Sequence, residues 1–199
     1  MEVSWHDTTY LKLGNERQRN TYSVLNKLKI FKILREYNPT LVGTIPLEID
    51  ISESDLDIIC EVYDLEKFEK LVIKSFNKYD NFHIKRKTVK GLLTSLSYFG
   101  YSNFLIEIFG QPKPVIEQNG YRHMIVEKKL LEISGESARK QIKKLKKLGL
   151  KTEPAFAKYF NLNFNLNGDP FDELLKLSRL NKKELVILLK KKNYGGDNA

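Results

Sequence analysis

Two aspartates one residue apart, Asp55 and Asp57, open the apolar run Asp55-Leu56-Asp57-Ile58-Ile59-Cys60-Glu61-Val62. Side chains alternate along a strand, so both carboxylates leave from one face while Leu56 and Ile58 enter the other. Held side by side they repel, and among apolar neighbours that is costly unless a cation sits between them. Hard oxygen donors select Mg²⁺ or Mn²⁺, which complete their coordination with water and substrate phosphates. An isolated Asp-x-Asp also describes the wet face of a half-buried strand, so its company decides. Gly43-Thr44 closes the preceding apolar piece Thr40-Leu41-Val42. A glycine there lets a backbone N–H approach an anion closely, and the adjacent hydroxyl can donate to a phosphate oxygen. Glu107 is the single acid in Phe104-Leu105-Ile106-Glu107-Ile108-Phe109, and such a residue is seldom buried without a partner. With its strand beside that of Asp55, it becomes a third carboxylate.

The elements that must position these groups follow from periodicity. Val24, Leu25, Leu28, Phe31 and Leu34 recur at three- and four-residue steps, which predicts one helix over about 18–36, stopped by Asn38-Pro39. A small, acidic loop over 44–54 leads into a central strand over 55–62. Asp64 is the expected cap of a helix whose buried stripe is Phe68, Leu71, Val72 and Phe76. Strands are predicted over 82–86, 92–98 and 104–109, the last two forming a hairpin through the turn-like Phe99–Asn103.

After Gly110-Gln111-Pro112-Lys113-Pro114 the pattern turns helical: about 117–131, 136–148, 170–180 and 182–191. Gly149 marks a helix end, Asp169-Pro170 a helix start and Asn181 with Glu184 a capping box. The expected organisation is an α/β core over 1–112, a mixed sheet flanked by helices, then a helical extension over 113–192 and a mobile tail over 193–199. Arg122 and His123 open the extension as candidate phosphate contacts, and Lys151 follows a helix end as another. In the helix over 137–148, Arg139, Lys140, Lys143, Lys144, Lys146 and Lys147 flank a stripe of Ile142, Leu145 and Leu148. That helix is either a surface for nucleic-acid backbone or a packed helix that shows its lysines to water.

Composition sets the limits. With 199 residues, 34 Lys+Arg against 25 Asp+Glu and a net charge of +9, the chain suits phosphate-bearing partners without naming one. No run approaches the roughly 18 apolar residues of a membrane span, so no membrane partner is expected. The first seven residues lack the basic stretch and apolar block of a signal peptide, and a cytoplasmic location is the expectation. A single cysteine excludes a disulfide framework and a cysteine-based zinc site. Nothing in the sequence sets the oligomeric state.

Val42-Gly43-Thr44, Asp55-Leu56-Asp57 and Glu107 together resemble the signature of the DNA polymerase beta-like nucleotidyltransferase superfamily over about 18–110. The departure is Thr44, where serine is usual. Over more of the chain, Gly43–Pro46, Ser54–Ile58, Ile106–Pro112, Tyr121–Met124 and Lys151–Ala157 look like an uncharacterised bacterial family with this core, domain of unknown function 4269. The resemblance implies transfer of a nucleoside monophosphate from an NTP to an unidentified acceptor. Asp55, Asp57 and Glu107 would hold Mg²⁺ or Mn²⁺, Glu107 would help deprotonate the acceptor, and Gly43, Thr44 and Ser54 would hold phosphates. The alternative is a non-catalytic protein of the same fold that binds RNA or an antitoxin-like protein partner.

Overall fold

The computed structural model describes residues 5–162 and 168–191, so the tail expected to be mobile lies outside the described residues. Two compact units are present. The first holds residues 5–48 and 52–121, the second residues 49–51, 122–162 and 168–191.

In the first unit, α1 (Glu16–Lys27) opens with a reciprocal cap: Asn15 Oδ1 accepts from the Gln18 backbone N–H while Gln18 Oε1 accepts from that of Asn15. The single helix expected over 18–36 is broken. Lys29 takes a left-handed conformation with φ 55°, and a short α2 (Ile30–Ile33) and a 3-10 turn (Arg35–Tyr37) follow. The break re-phases the apolar stripe: Ile30 and Leu34 are wholly buried, whereas Phe31 is only half-buried. An unbroken helix would have turned Ile30 away from Leu28.

Five strands form one sheet in the order β1-β2-β5-β4-β3. They are β1 (Thr40–Val42), β2 (Leu56–Glu61), β3 (Asp80–Val89), β4 (Leu92–Tyr101) and β5 (Phe104–Gln111). Only β2 and β5 run parallel; every other pairing is antiparallel. The β3–β4 hairpin turns through Lys90-Gly91, both at positive φ, and the expected β4–β5 hairpin turns at Ser102-Asn103. β3 outruns its predicted span because it is an edge strand, mostly exposed, with charges where an apolar alternation would have revealed it. Helix α3 (Leu65–Phe76), capped by the Asp64 carboxylate, brings Phe68, Val72 and Phe76 to a core shared with Leu56, Ile58, Ile106 and Ile108. Phe76 stacks on Phe99 with ring centroids 5.1 Å apart. Apolar residues on one face of β2 and β5 thus anchor the sheet, and the acids between them are left for the other face.

The second unit takes its first helix from α4 (Asn119–Lys147), interrupted at Gly135 (φ 73°, ψ −160°), where the sequence predicted two helices. Gly149 ends it: the Gly149 N–H donates to the Lys146 carbonyl and the Leu150 N–H to that of Leu145. There follow α5 (Thr152–Tyr159), α6 (Pro170–Leu177) and α7 (Lys182–Lys191). The Asp169 cap and the Asn181–Glu184 capping box form as expected. The buried row on the second half of α4 is Ala138, Ile142 and Lys146, whereas Leu148 is exposed. Lys146 therefore does not belong to the basic surface that the sequence suggested, and Leu148 does not belong to the packed stripe.

Candidate active site on the sheet

Register across the sheet builds the site. Val42, Asp57, Glu107, Tyr98 and His83 are successive partners in one row through β1, β2, β5, β4 and β3. Partners in a ladder project to the same face, so the Asp57 and Glu107 carboxylates emerge side by side. Asp55 lies two residues before Asp57, just ahead of β2, and all three acids are half-buried.

Gly43 closes over Asp57. Its φ is +83°, and a Cβ there would stand 2.3 Å from Asp57 Oδ2. Both the left-handed backbone and the close approach exclude a side chain. Beyond it, the Thr44 hydroxyl donates to the Ser54 hydroxyl at 3.2 Å, linking the two ends of the loop before Asp55. Gly43, Thr44, Ser54, Asp55, Asp57 and Glu107 therefore all belong to the first unit, on β2, β5 and the loop joining β1 to β2.

Helix α1 holds that loop with two residues the sequence did not single out. Gln18 Nε2 donates to the Ile45 carbonyl at 3.1 Å, and Arg17 Nη2 donates to the carbonyls of Ser52 and Ser54 at 3.2 and 3.0 Å. The Arg17 guanidinium also lies 4.1 Å from the Phe104 ring centroid. Local pattern gave no sign of either role, since the contacts span 27 to 37 residues.

Electrostatics follows from crowding. Burial pushes the Asp55 carboxyl above its ordinary value. Glu107 is raised too, first by burial and further by Asp55, with Lys87 and Lys85 pulling the other way. Those lysines lie on β3, Lys85 5.7 Å from the Tyr98 ring centroid and Lys87 6.0 Å from that of Phe109. The alternation His83-x-Lys85-x-Lys87 was the sequence signal for a basic strand face beside Glu107. An all-carboxylate donor set whose charges oppose one another's ionisation fits a hard divalent cation such as Mg²⁺ or Mn²⁺. Among the described residues, one cluster of three has ligand atoms all within 4.8 Å of one another, and it is a different one: His123, Glu127 and Glu153.

The remaining sequence candidates lie in the second unit. Arg122 Nη2 donates to the Ser178 hydroxyl at 2.9 Å and the Leu175 carbonyl at 3.3 Å, securing the end of α6. His123 is 5% exposed and stacks on Phe171 with centroids 4.0 Å apart. Lys151 is exposed at the start of α5.

The family model for "Domain of unknown function (DUF4269)" matches residues 23–177. The chain belongs to that family. Among solved structures, this DUF4269 chain is similar to a cytoplasmic RNA terminal U-transferase, with 12% identity and a TM-score of 0.47 over 84% of this chain and 50% of the other. It is similar to the GLD-2/RNP-8 complex at 11% identity and a TM-score of 0.49, over 81% and 76% of the two chains. The Cid1 poly(U) polymerase is similar at 10% identity and a TM-score of 0.49, over 84% and 53%. The chain spans about half the length of the first and third. No curated protein matches it. Among the described residues, no helix is long and apolar enough to cross a membrane.

Proposed function

We propose that this DUF4269 protein is a metal-dependent nucleotidyltransferase whose active site is the acidic face of β2 and β5. The observation that carries the reading is the Asp57–Glu107 ladder pair beneath the glycine turn at Gly43. A pair of like charges in direct opposition is retained against its own repulsion, which a cation-binding role explains and a wet strand face does not.

In this reading Asp55, Asp57 and Glu107 hold Mg²⁺ or Mn²⁺, which when bound neutralises triphosphate charge and favours the ionised acceptor hydroxyl. The acceptor oxygen attacks the α-phosphorus, the bond from that phosphorus to the bridging oxygen of the β-phosphate breaks, and pyrophosphate leaves. Glu107, already held above the ordinary carboxyl range, takes the acceptor proton at its carboxylate. The Gly43 N–H and the Thr44 and Ser54 hydroxyls hold the departing phosphates, the two hydroxyls positioning one another. Lys85 and Lys87 add positive charge beside Glu107. For His123 another role is argued below. Work of this kind is mainly positioning and charge neutralisation, which a small sheet can supply.

The test is incubation of the full chain with each α-labelled NTP, Mg²⁺ or Mn²⁺, and RNA, protein or metabolite fractions. The reading expects label in one fraction, lost without metal and lost in Asp55→Asn/Asp57→Asn. Metal-independent nucleotide binding that survives those changes would overturn it. RNA binding abolished at Lys143 and Lys144 instead would establish the non-catalytic alternative.

A further inference from the structure

His123 and Glu127 stand four residues apart on α4 and so share one helix face, and Glu153 reaches them from the first turn of α5. One nitrogen or oxygen of each lies within 4.8 Å of the others, and His123 Nδ1 is 3.7 Å from Glu153 Oε1. His123 is 5% exposed and Glu127 3%. The imidazole plane is fixed by its stack on Phe171.

Further ionisable groups are buried beside this trio. Asp50 is also buried, and its Oδ1 has no hydrogen-bond partner among the described residues. Lys146, the buried lysine of α4, interacts electrostatically with Glu127, Asp50 and Glu153, and its Nζ donates to the Ile49 carbonyl at 2.9 Å. One ammonium thus serves three carboxyl groups. Buried carboxylates are costly unless paired or bound to a cation, and a divalent cation meets that need at this trio. An imidazole nitrogen beside two carboxylate oxygens favours a transition ion over Mg²⁺, with a further coordination position left open.

We propose that His123, Glu127 and Glu153 form a binding site for a zinc-class divalent ion, separate from the sheet acids, that ties α4 to α5. Glu153 is the most accessible of the three, with a side chain 22% exposed, and marks the side from which the ion enters. Lys146 interacts with both glutamates and contributes to the charge the ion meets. This site is independent of the nucleotidyltransferase reading, because all its residues lie in the second unit.

The test uses the full chain carrying Asp55→Asn/Asp57→Asn, so that the sheet acids are disabled. Zn²⁺ and Co²⁺ are titrated by calorimetry and absorption, with Mg²⁺ for comparison. One equivalent of Zn²⁺ is expected, with a rise in melting temperature that Mg²⁺ does not reproduce. Co²⁺ should give the strong visible bands of a low-coordinate site with a nitrogen ligand. His123→Gln and Glu153→Gln should each weaken Zn²⁺ binding by at least about 100-fold. Circular dichroism checks that each variant folds, and the Co²⁺ spectrum needs no change at the three ligands. Absence of stoichiometric Zn²⁺ binding, or binding indifferent to both substitutions, would mean that Lys146 alone serves the acids and overturns the proposal.

Discussion

Asp57 and Glu107 are Cα partners across β2 and β5, the parallel pair of the sheet. Like charges in direct opposition destabilise a sheet by roughly 0.2–1 kcal/mol. Glu107→Gln removes that repulsion without changing side-chain shape. Metal-free protein carrying it is therefore expected to melt about 1–3 °C higher. Label transfer from NTP should nonetheless fall at least about 100-fold, because a charge aimed at the reacting centre is gone. Stability and activity moving in opposite directions is the mark of a functional acid. Scanning calorimetry in EDTA and the labelled-NTP assay read the two halves, and a wholly structural Glu107 would lower both.

Gly43 offers a test with an internal control. Gly43 and Gly91 have nearly the same φ, +83° and +82°, but a Cβ at Gly91 meets nothing within 4 Å. Alanine at either position carries the left-handed backbone cost of about 1–2 kcal/mol. Only Gly43→Ala forces the Asp57 carboxylate aside. Both variants should lose similar backbone stability, Gly43→Ala somewhat more, while only Gly43→Ala loses Mg²⁺-dependent nucleotide binding. Equal binding by the two would mean that the glycine is needed for its turn alone.

The parts of this arrangement that were legible in the sequence are those set by local pattern. Alternation placed Asp55 and Asp57 on one face, and Glu107 stood out as the single acid in an apolar strand. The turn at Ser102-Asn103 made β4 and β5 a hairpin. What escaped depends on distant partners. Lys146 reads as one more cation in a basic helix, but its role depends on the Ile49 carbonyl 97 residues away. Lys29 carries the positive φ that breaks the first helix, although lysine gives no hint of it. Helix α5 is not among the helices the sequence predicted; its Pro154, as the third residue, lies in the first turn, where a missing N–H is tolerated. His123 was singled out as a phosphate contact, whereas its partners Glu127 and Glu153 were not, and Glu153 joins them only through the fold.

Arg17 supplies a prediction about positioning. Its guanidinium bonds two carbonyls of the loop before Asp55 and covers Phe104. A lysine keeps the charge and loses both the fork and the flat stacking surface. Arg17→Lys should cost about 1–2 kcal/mol of stability. Amide exchange over 44–54 should quicken, while the core strands β2 and β5 stay protected. Nucleotide affinity should fall through the looser loop. Unchanged exchange in that loop would show that Gln18 and the Thr44–Ser54 bond hold it unaided.

Cys60 reports on the core that supports the site. It lies on β2, wholly buried on the face opposite Asp57, and burial raises its thiol pKa well above the ordinary value. Thiolate is the nucleophile, so the native protein should resist thiol reagents and react fully only in denaturant. The same shift fixes a pH dependence. A thiol that holds its proton more firmly when folded makes the folded state the greater proton binder above the unfolded value of 9.0. Stability attributable to this group is therefore intact below that pH and declines as pH rises further, by at most about 1.4 kcal/mol per pH unit. Cys60→Ser would remove the thiol's share of that alkaline slope while burying a hydroxyl in its place, and melting curves from pH 8 to 11 would separate the two effects. Ready labelling of the folded protein at neutral pH would mean that β2 opens, and with it the strand that carries both the Asp57 carboxylate and its pairing to Glu107.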